Sequence, residues 1–438
     1  MTKMAGLIGV VADDITGAND IGIMFAKAGI VTHVYAHDDF DPQALLASSG
    51  RGPAAVVLDT NSRLDDARTA YAKVYDASIR LRAAGATLFI NKTCSVFRGN
   101  VGAEFDAMLD ALGQSFAVVV LGFPKNGRTT LHGIHYVHGR KLEESEFRRD
   151  PVHPMTRSSL VDILQDQTRR GVTLIEYPAV RSGAAALRER LDSLRGKGAG
   201  YCIVDVPDQE ALSTIAEAVR DDFILCGSSA IAEELAELLD VPREAAALPE
   251  LAPLKEGCGI LCTAGSLMPQ TDAQIAHMRD GGTPSFELDS RLLPEEASRC
   301  SAVDALTGEI VDCLLRGRDA VLFSSRDPSA VEETKRIGLS LGLAPEEVSR
   351  IVSDCLAEIT ARVMKQTGQP RLLVAGGETS AAVCRRMGVK GLQVWKEIRT
   401  GLPSCATLDE PRRLLVLKSG SFGNESFFEE GIRHLKSE

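Results

Sequence analysis

The 438-residue sequence has no apolar run approaching the length of a membrane span. It also lacks any long basic run, and its formal net charge is -11. Nucleic acid and anionic membrane are therefore not expected as partners. Small anionic substrates stay compatible, because local Arg and Lys override the global sign. Ten cysteines are scattered without a single C-x-x-C pair. Cys258 and Cys262 lie four apart on a strand-like run, but no matching His or Cys pair is nearby. Buried free thiols in a reducing cytoplasm are the expectation. The first residues do not have the form of a secretory signal. Lys3 is a lone positive charge, and the apolar stretch stops at Asp13 without a small-residue cleavage site. Short-period repeats and low-complexity tracts are missing too.

What is present is ample core for a globular chain, with 44% hydrophobic and 25% charged residues. The length predicts two domains. Short β-branched runs at Leu7–Val11, Ile30–Ala36, Ala54–Asp59, Thr87–Asn91, Ala117–Gly122, Thr173–Tyr177 and Tyr201–Val206 alternate with helical patterns. The patterns include Ala67–Ala83, Gly102–Leu112 and Ser158–Thr168. Around Val241–Gly257, Pro242, Pro249 and Pro253 interrupt a polar, Ala-rich stretch. The rhythm then restarts, with strands at Gly259–Thr263, Ala320–Ser324, Leu372–Ala375 and Leu414–Lys418 and a helix over Pro345–Gln366. The fold class read from this is α/β: two domains, each a mostly parallel sheet flanked by helices. Their expected bounds are 1–241 and 257–438, joined by a linker over 242–256.

The first strand ends on Asp13-Asp14, followed by a Thr-Gly turn and a helical pattern with Ile21, Met24, Phe25 and Ala28 on one face. Open α/β sheets bind ligands beyond the carboxyl ends of their strands. Two acids there can hold the hydroxyls of a polyol or take a proton from one. The plain alternative is that one Asp caps the helix. After the third strand comes Leu58-Asp-Thr-Asn-Ser-Arg63. Arg63 either captures a carboxylate in bidentate fashion or is a solvated surface residue. The next strand runs into Lys92-Thr93-Cys94-Ser95, and Arg98-Gly99-Asn100 leads into a helix. Cations, hydroxyls and a helix N-terminus on one loop make an anion site.

Gly122-Phe-Pro-Lys-Asn-Gly-Arg128-Thr129 falls short of a phosphate-binding P-loop, because Arg128 replaces the Lys and Pro124 disturbs the cradle. His132, His135 and His138 follow at intervals of three, but on a strand or turn they would not share a face. No metal site is expected from them. In the second half, three Gly-rich loops each follow a strand: Cys262-Thr-Ala-Gly-Ser266, Ala375-Gly376-Gly377-Glu378-Thr379 and Lys418-Ser-Gly420. Glycines let the backbone approach phosphate oxygens, and a helix N-terminus offers free N–H donors. Three such loops in one domain favour a nucleotide site.

The stretch VADDITGANDIGIMFAKAG resembles the opening of the four-carbon acid-sugar kinases, ATP-dependent enzymes acting on threonate, erythronate or 3-oxo-tetronate. The loops at Lys92–Asn100, Phe123–Gly139 and all three Gly-rich loops are similar to the same family, over residues 6–424. Cys94 stands where that family usually has Asp. The resemblance implies a sugar-acid domain facing a nucleotide domain across an active-site cleft. It implies Asp14, or Asp13, as the group that orients or deprotonates the attacking 4-hydroxyl. Arg63, Lys92, Thr93, Cys94, Ser95, Arg98 and Arg128 would line the substrate site. Ser266, Gly376, Gly377, Glu378, Thr379 and Gly420 would hold ATP, with Mg²⁺ accompanying it. The Gly-Ala-Asn-Asp sequence and Lys92-Thr93 look most like D-threonate kinases, with D-erythronate and 3-oxo-tetronate as alternatives. Two readings of other classes stand beside this one. A sugar-acid sensor would bind without turnover. A Rossmann oxidoreductase would need G-x-G-x-x-G in the first turn, where Asp-Asp-Ile-Thr-Gly stands instead. A monomer and a homodimer both fit the sequence.

Overall fold

A computed structural model describes residues 6–47, 52–150, 152–243 and 250–438. The chain folds as two compact units, Met1–Ala247 and Leu248–Glu438. Of the expected linker, residues 244–249 lie outside the described residues, and residues 250–256 form no helix or strand.

The first unit contains the strands β1 (Leu7–Ala12), β2 (Thr32–Ala36), β3 (Ala55–Asp59), β4 (Ala86–Lys92), β5 (Ala117–Val120), β6 (Arg128–Leu131), β7 (Ile134–Val137), β8 (Arg140–Lys141), β9 (Val172–Ile175), β10 (Tyr201–Val204) and β11 (Ile224–Gly227). Eight of them build its main sheet in the order β2-β3-β1-β4-β11-β5-β10-β9. All seven neighbouring pairs are parallel. Runs such as Ala117-Val-Val-Val120 are buried along their whole length, as strands covered on both faces must be. The helix Ala67–Ala83 shows how one cover forms. Asp66 caps its start by accepting from Arg68 and Thr69, and Ala70, Val74, Ala77, Ser78 and Leu81 make its buried stripe.

Three differences from the sequence expectations stand out. The helix Ile15–Lys27 is buried from Ile15 to Phe25 on every side rather than along one face, so Thr16, Asn19 and Asp20 are interior residues. Ile224–Gly227, a strand too short to show periodicity, lies in the middle of the sheet between β4 and β5. The segment after β5 folds into a separate antiparallel sheet, β6-β7-β8.

The second unit contains β12 (Leu261–Ala264), β13 (Ser285–Leu288), β14 (Ala320–Ser324), β15 (Arg371–Ala375), β16 (Gly391–Arg399), β17 (Leu402–Thr407) and β18 (Leu414–Lys418). Their order is β13-β14-β12-β15-β18-β17-β16. The pairs from β13 to β18 are parallel. The β16–β17 hairpin is antiparallel and pairs antiparallel with β18. The long helix Pro345–Thr367 begins on Pro and ends at Gly368 in the left-handed region, the usual asymmetry of helix ends. Among the described residues no helix is long and apolar enough to cross a membrane.

Topology has a direct consequence for chemistry. The adjacent strands β3, β1 and β4 bring the acid pair, Arg63 and the Lys92 loop to one sheet end. The adjacent strands β12, β15 and β18 do the same for the three Gly-rich loops.

Candidate functional site

In the first unit, Asp14 ends the turn after β1 and caps the helix Ile15–Lys27. Its Oδ1 accepts from the Gly17 N–H at 2.6 Å, and its Oδ2 accepts from Thr16 Oγ1 at 3.2 Å. The capping alternative is therefore realised, but it is not the whole role of the residue. Arg63 donates Nε to Asp13 Oδ2 at 2.7 Å and Nη2 to Asp13 Oδ1 at 2.8 Å. Its Nη1 donates to Asp14 Oδ2. The solvated-surface reading of Arg63 does not hold: three of its five N–H groups are held by the two acids, which leaves two for a ligand. Burial pushes the Asp14 carboxyl up, but Arg63, Lys92 and the Gly17 N–H together hold it below the usual range. Asp14 is thus an anion whose lone pairs are largely engaged, a group suited to orienting a hydroxyl.

Lys92, the last residue of β4, is almost fully buried. Its Nζ donates to Thr93 O at 3.0 Å and stands 3.6 Å from Asp20 Oδ2. A Cβ on Gly17 would come 2.7 Å from Asp14 Oδ1 and 3.0 Å from Lys92 Nζ, so only glycine lets acid and ammonium approach there. Asp20 also accepts from Ser229 Oγ at 2.6 Å, and burial pushes its carboxyl up to about 6. Thr93 Oγ1 and both polar atoms of the Asn19 side chain are buried with no hydrogen-bond partner among the described residues. Behind the acid pair, Ser62 donates to Glu104 Oε1 at 2.7 Å. Burial and the neighbouring Asp13 raise Glu104 to about 8. Asn61 and Phe97, which flank these loops, have φ of 45° and 57°. Side chains seldom adopt that region, and such residues cluster at functional sites.

A second set of groups continues from β4. Arg98 donates Nε to Cys94 Sγ at 3.3 Å and Nη1 to Asp150 Oδ2 at 2.7 Å, with its guanidinium 5.1 Å from the Phe147 ring centre. Burial opposes ionisation of Cys94, but Arg98 and Arg63 outweigh it and bring the thiol below its ordinary value. Arg128 lies 5.9 Å from the same Phe147 ring and is held by Asn126 O and, at 3.0 Å, by His138 Nε2. Ser95 is buried on the same loop as Cys94. The three histidines separate: His135 is interior against Thr130, His132 faces Glu176, and His138 contacts Arg128.

In the second unit the three Gly-rich loops pack onto one another. Gly376, with φ of 117°, caps the helix Gly377–Arg386, and a Cβ there would lie 3.1 Å from the Ser266 N. A Cβ on Gly265 would collide with Thr379 Oγ1, and one on Gly420 would collide with Ser266 Oγ. Each loop is glycine where another loop leans on it. The carboxyl of Glu378, on the first turn of that helix, is pushed up by burial to about 7. Thr271 donates to Gly420 O at 2.9 Å, and Arg326 donates Nη1 to Ser266 O at 2.7 Å. Lys418 lies beneath them, fully buried.

Sequence reasoning passed over Asp20, Ser62, Glu104, Arg326 and Lys418. Asp20 was within reach of it: an Asp at the sixth position of a helix with apolar neighbours is a conflict that demands a partner. The others carry no comparable signal.

The comparisons with known proteins agree with this division. Residues 8–235 match the model of a sugar-binding N-terminal domain. Residues 261–428 match that of a nucleotide-binding C-terminal domain. The chain is 34% identical to a 3-oxo-tetronate kinase of Cupriavidus necator, over 98% of this chain and 97% of that relative. A 3-oxo-tetronate kinase of Pseudomonas fluorescens is 33% identical with the same coverage. Among solved structures, a Salmonella typhimurium protein described as a putative tRNA synthase superposes with a TM-score of 0.78 at 28% identity, covering 98% of this chain and 99% of its own. A Haemophilus influenzae protein gives 0.69 at 28% identity, covering 98% and 100%.

Proposed function

The chain belongs to the four-carbon acid-sugar kinase family, and from that premise we propose that it transfers the γ-phosphoryl of ATP to the 4-hydroxyl of a four-carbon sugar acid. The observation that carries the reading is the mutual packing of three glycine loops at the ends of β12, β15 and β18, in a unit that matches a nucleotide-binding domain. Phosphoryl transfer needs positioning and charge neutralisation more than covalent chemistry. Ser266, Gly376, Gly377, Thr379 and Gly420 supply the backbone approach for phosphates, and Glu378 joins them from the helix start. Mg²⁺ enters with ATP, its ligands mostly phosphate oxygens and water.

On the acceptor side, Asp14 orients the hydroxyl and Asp13 anchors Arg63. The two N–H groups of Arg63 not held by the acids, together with Lys92, Thr93 and Ser95, take the substrate carboxylate and hydroxyls. Arg98, Cys94 and Arg128 close the far side. The named relatives favour 3-oxo-tetronate as the acid over D-threonate, the acid that the Gly-Ala-Asn-Asp sequence brings forward. A coupled ADP-release assay with ATP, Mg²⁺ and a panel of 3-oxo-tetronates, D- and L-threonate and D- and L-erythronate tests this. Turnover on a 3-oxo-tetronate supports the proposal, and turnover only on D-threonate or D-erythronate replaces the acid but keeps the chemistry. Binding of an acid with no turnover across the panel would make the chain a sensor and end the kinase reading.

A further inference from the structure

Lys418 ends β18 with no exposed surface, and its ammonium is fully committed. Nζ donates to Ser419 O at 2.8 Å, to Gly420 O at 3.0 Å and to Thr271 Oγ1 at 3.1 Å. An ammonium has three hydrogens, so none remains for a ligand. All three acceptors are uncharged. A buried cation with only neutral partners is costly, and an anion nearby would relieve it. Arg326 on the neighbouring loop also holds a carbonyl, with a carboxylate beside it. It holds Ser266 O through Nη1 at 2.7 Å and contacts Asp272 through Nε, while its Nη2 is buried with no hydrogen-bond partner among the described residues. Two cations thus grip the carbonyl oxygens of loops that meet at Ser266 and Gly420. Turning carbonyls inward leaves the peptide N–H groups of a loop to face the other way, the arrangement of an anion-binding nest.

We propose that Lys418 is a positioning residue of the polyphosphate site: from behind the Gly420 loop it fixes the carbonyls, aims the loop N–H groups at the nucleotide phosphates, and supplies a buried positive charge without touching ATP. This rests on the nucleotide reading of the second unit. The titratable and charged groups that bear on Lys418 are Cys262 on β12 and Arg326 after β14, the latter paired with Asp272 on the helix Pro269–Asp280; Phe428 on the last helix adds an apolar wall. Burial pushes the ammonium down to about 7, and Arg326 pushes the same way while Cys262 opposes. A polyphosphate arriving at the loop stabilises the charged form, so binding draws in a proton.

The experiment is calorimetric titration of the full chain with ATP and Mg²⁺ at about pH 8, above the ~6 of a phosphate monoester's second ionisation. It is run in two buffers of different ionisation heat. Wild type is expected to take up close to one proton per ATP. Lys418→Met is expected to lose that uptake and to bind ATP roughly 10- to 100-fold more weakly, as for lost hydrogen bonds to a charged group, with kcat at saturating ATP changed less. Thr271→Val should weaken binding by less. Uptake that persists in Lys418→Met, or no uptake by wild type, overturns the proposal; Glu378→Gln removes the other group of these loops that burial brings to about 7, and uptake that it abolishes overturns the proposal even if Lys418→Met does not fold. Failure of wild type to bind ATP at all overturns the nucleotide reading itself, a result distinct from tight binding without uptake.

Discussion

Arg63 meets Asp13 edge to edge, with Nε and Nη2 each on a separate carboxylate oxygen at 2.7 and 2.8 Å, and still reaches Asp14 with Nη1. One buried guanidinium therefore holds two buried carboxylates. Arg63→Ala would leave Asp13 without its guanidinium and Asp14 with only Lys92, Thr16 and the Gly17 N–H, at a cost of about 3–5 kcal/mol of stability. The pH dependence has a definite sign. Asp14 is held below its ordinary value, so its contribution is present above the unfolded pKa and is lost as pH falls through the folded one. Urea unfolding should thus find the deficit of Arg63→Ala largest near neutrality and smaller in acid. An equal deficit at both would mean that the pairing contributes no net stability.

Asp14→Asn tests the acceptor side alone. The amide can still receive the Gly17 N–H through its oxygen, so the helix start is retained. Turnover should fall by orders of magnitude, as for loss of a group that acts at the reacting hydroxyl, while ATP affinity stays nearly intact. A fully active variant would remove Asp14 from the chemistry.

Glu104 and Asp59 make the opposite prediction for stability. Burial raises them to about 8 and about 7, above the values of the unfolded chain. The folded state then binds more protons than the unfolded one, and stability falls as pH rises from about 4 towards 8. Glu104→Gln keeps an acceptor for Ser62 and removes the charge. It should flatten the stability profile and raise the melting temperature at pH 8 by a few degrees, as for about 1–2 kcal/mol in a protein of this size. A melting temperature lower than wild type at pH 8 would show the charge to be needed there.

The strand-end placement of every motif is legible in the sequence because each follows a short buried apolar run, and a buried parallel strand reads as such a run. The Asp13–Arg63 pair is not legible. It depends on β1 and β3 being neighbours with Ala12 level with Asp59, and no periodicity encodes which strands sit side by side. Lys418 is hidden for a related reason. In Leu-Val-Leu-Lys-Ser-Gly it reads as the polar end of a strand, and only the closure of Thr271 and Phe428 over it makes it interior. Thr16, Asn19 and Asp20 would face water on an amphipathic helix, but this helix is enclosed on all sides. The short hairpin Arg128–Val137 is obscured by its own histidines and glycines, which look like a loop.

Cys94 is set apart from the other buried thiols. Burial pushes Cys202, Cys226, Cys262 and Cys405 up, whereas Arg98 and Arg63 bring Cys94 down against the same penalty. Thiolate character governs alkylation. Iodoacetamide mapping by mass spectrometry should therefore find Cys94 modified ahead of those four, with exposed Cys300 as the accessible reference. The sugar acid, but not ATP, should protect Cys94. Cys94→Asp places a second carboxylate beside Arg98 and should change KM for the acid by roughly tenfold, the scale of one polar contact in a specificity pocket, with KM for ATP unmoved. Protection by ATP rather than the acid would place Cys94 outside the acceptor site.

Gly420→Ala probes whether the mutual packing of the loops is what builds the nucleotide site. The added Cβ would strike Ser266 Oγ and come 3.0 Å from Met268 Cγ. Ser266 is itself tethered, because Arg326 holds its carbonyl and its hydroxyl accepts from the Met268 N–H at 3.3 Å. The two loops must then separate, and the phosphate contacts of both are lost together. KM for ATP should rise on the order of 10- to 100-fold, the effect of losing several backbone hydrogen bonds to a charged ligand. Binding of the sugar acid should be unchanged, since its residues belong to the other unit. Gly308→Ala, in the helix Glu296–Leu315, is the internal control: like Gly420 it lies outside the left-handed region, but a Cβ there would meet nothing within 4 Å. It should affect stability modestly and ATP affinity not at all. Equal effects of the two substitutions on KM for ATP would mean that the loss of a glycine anywhere in the unit, rather than the contact between Gly420 and Ser266, governs the site.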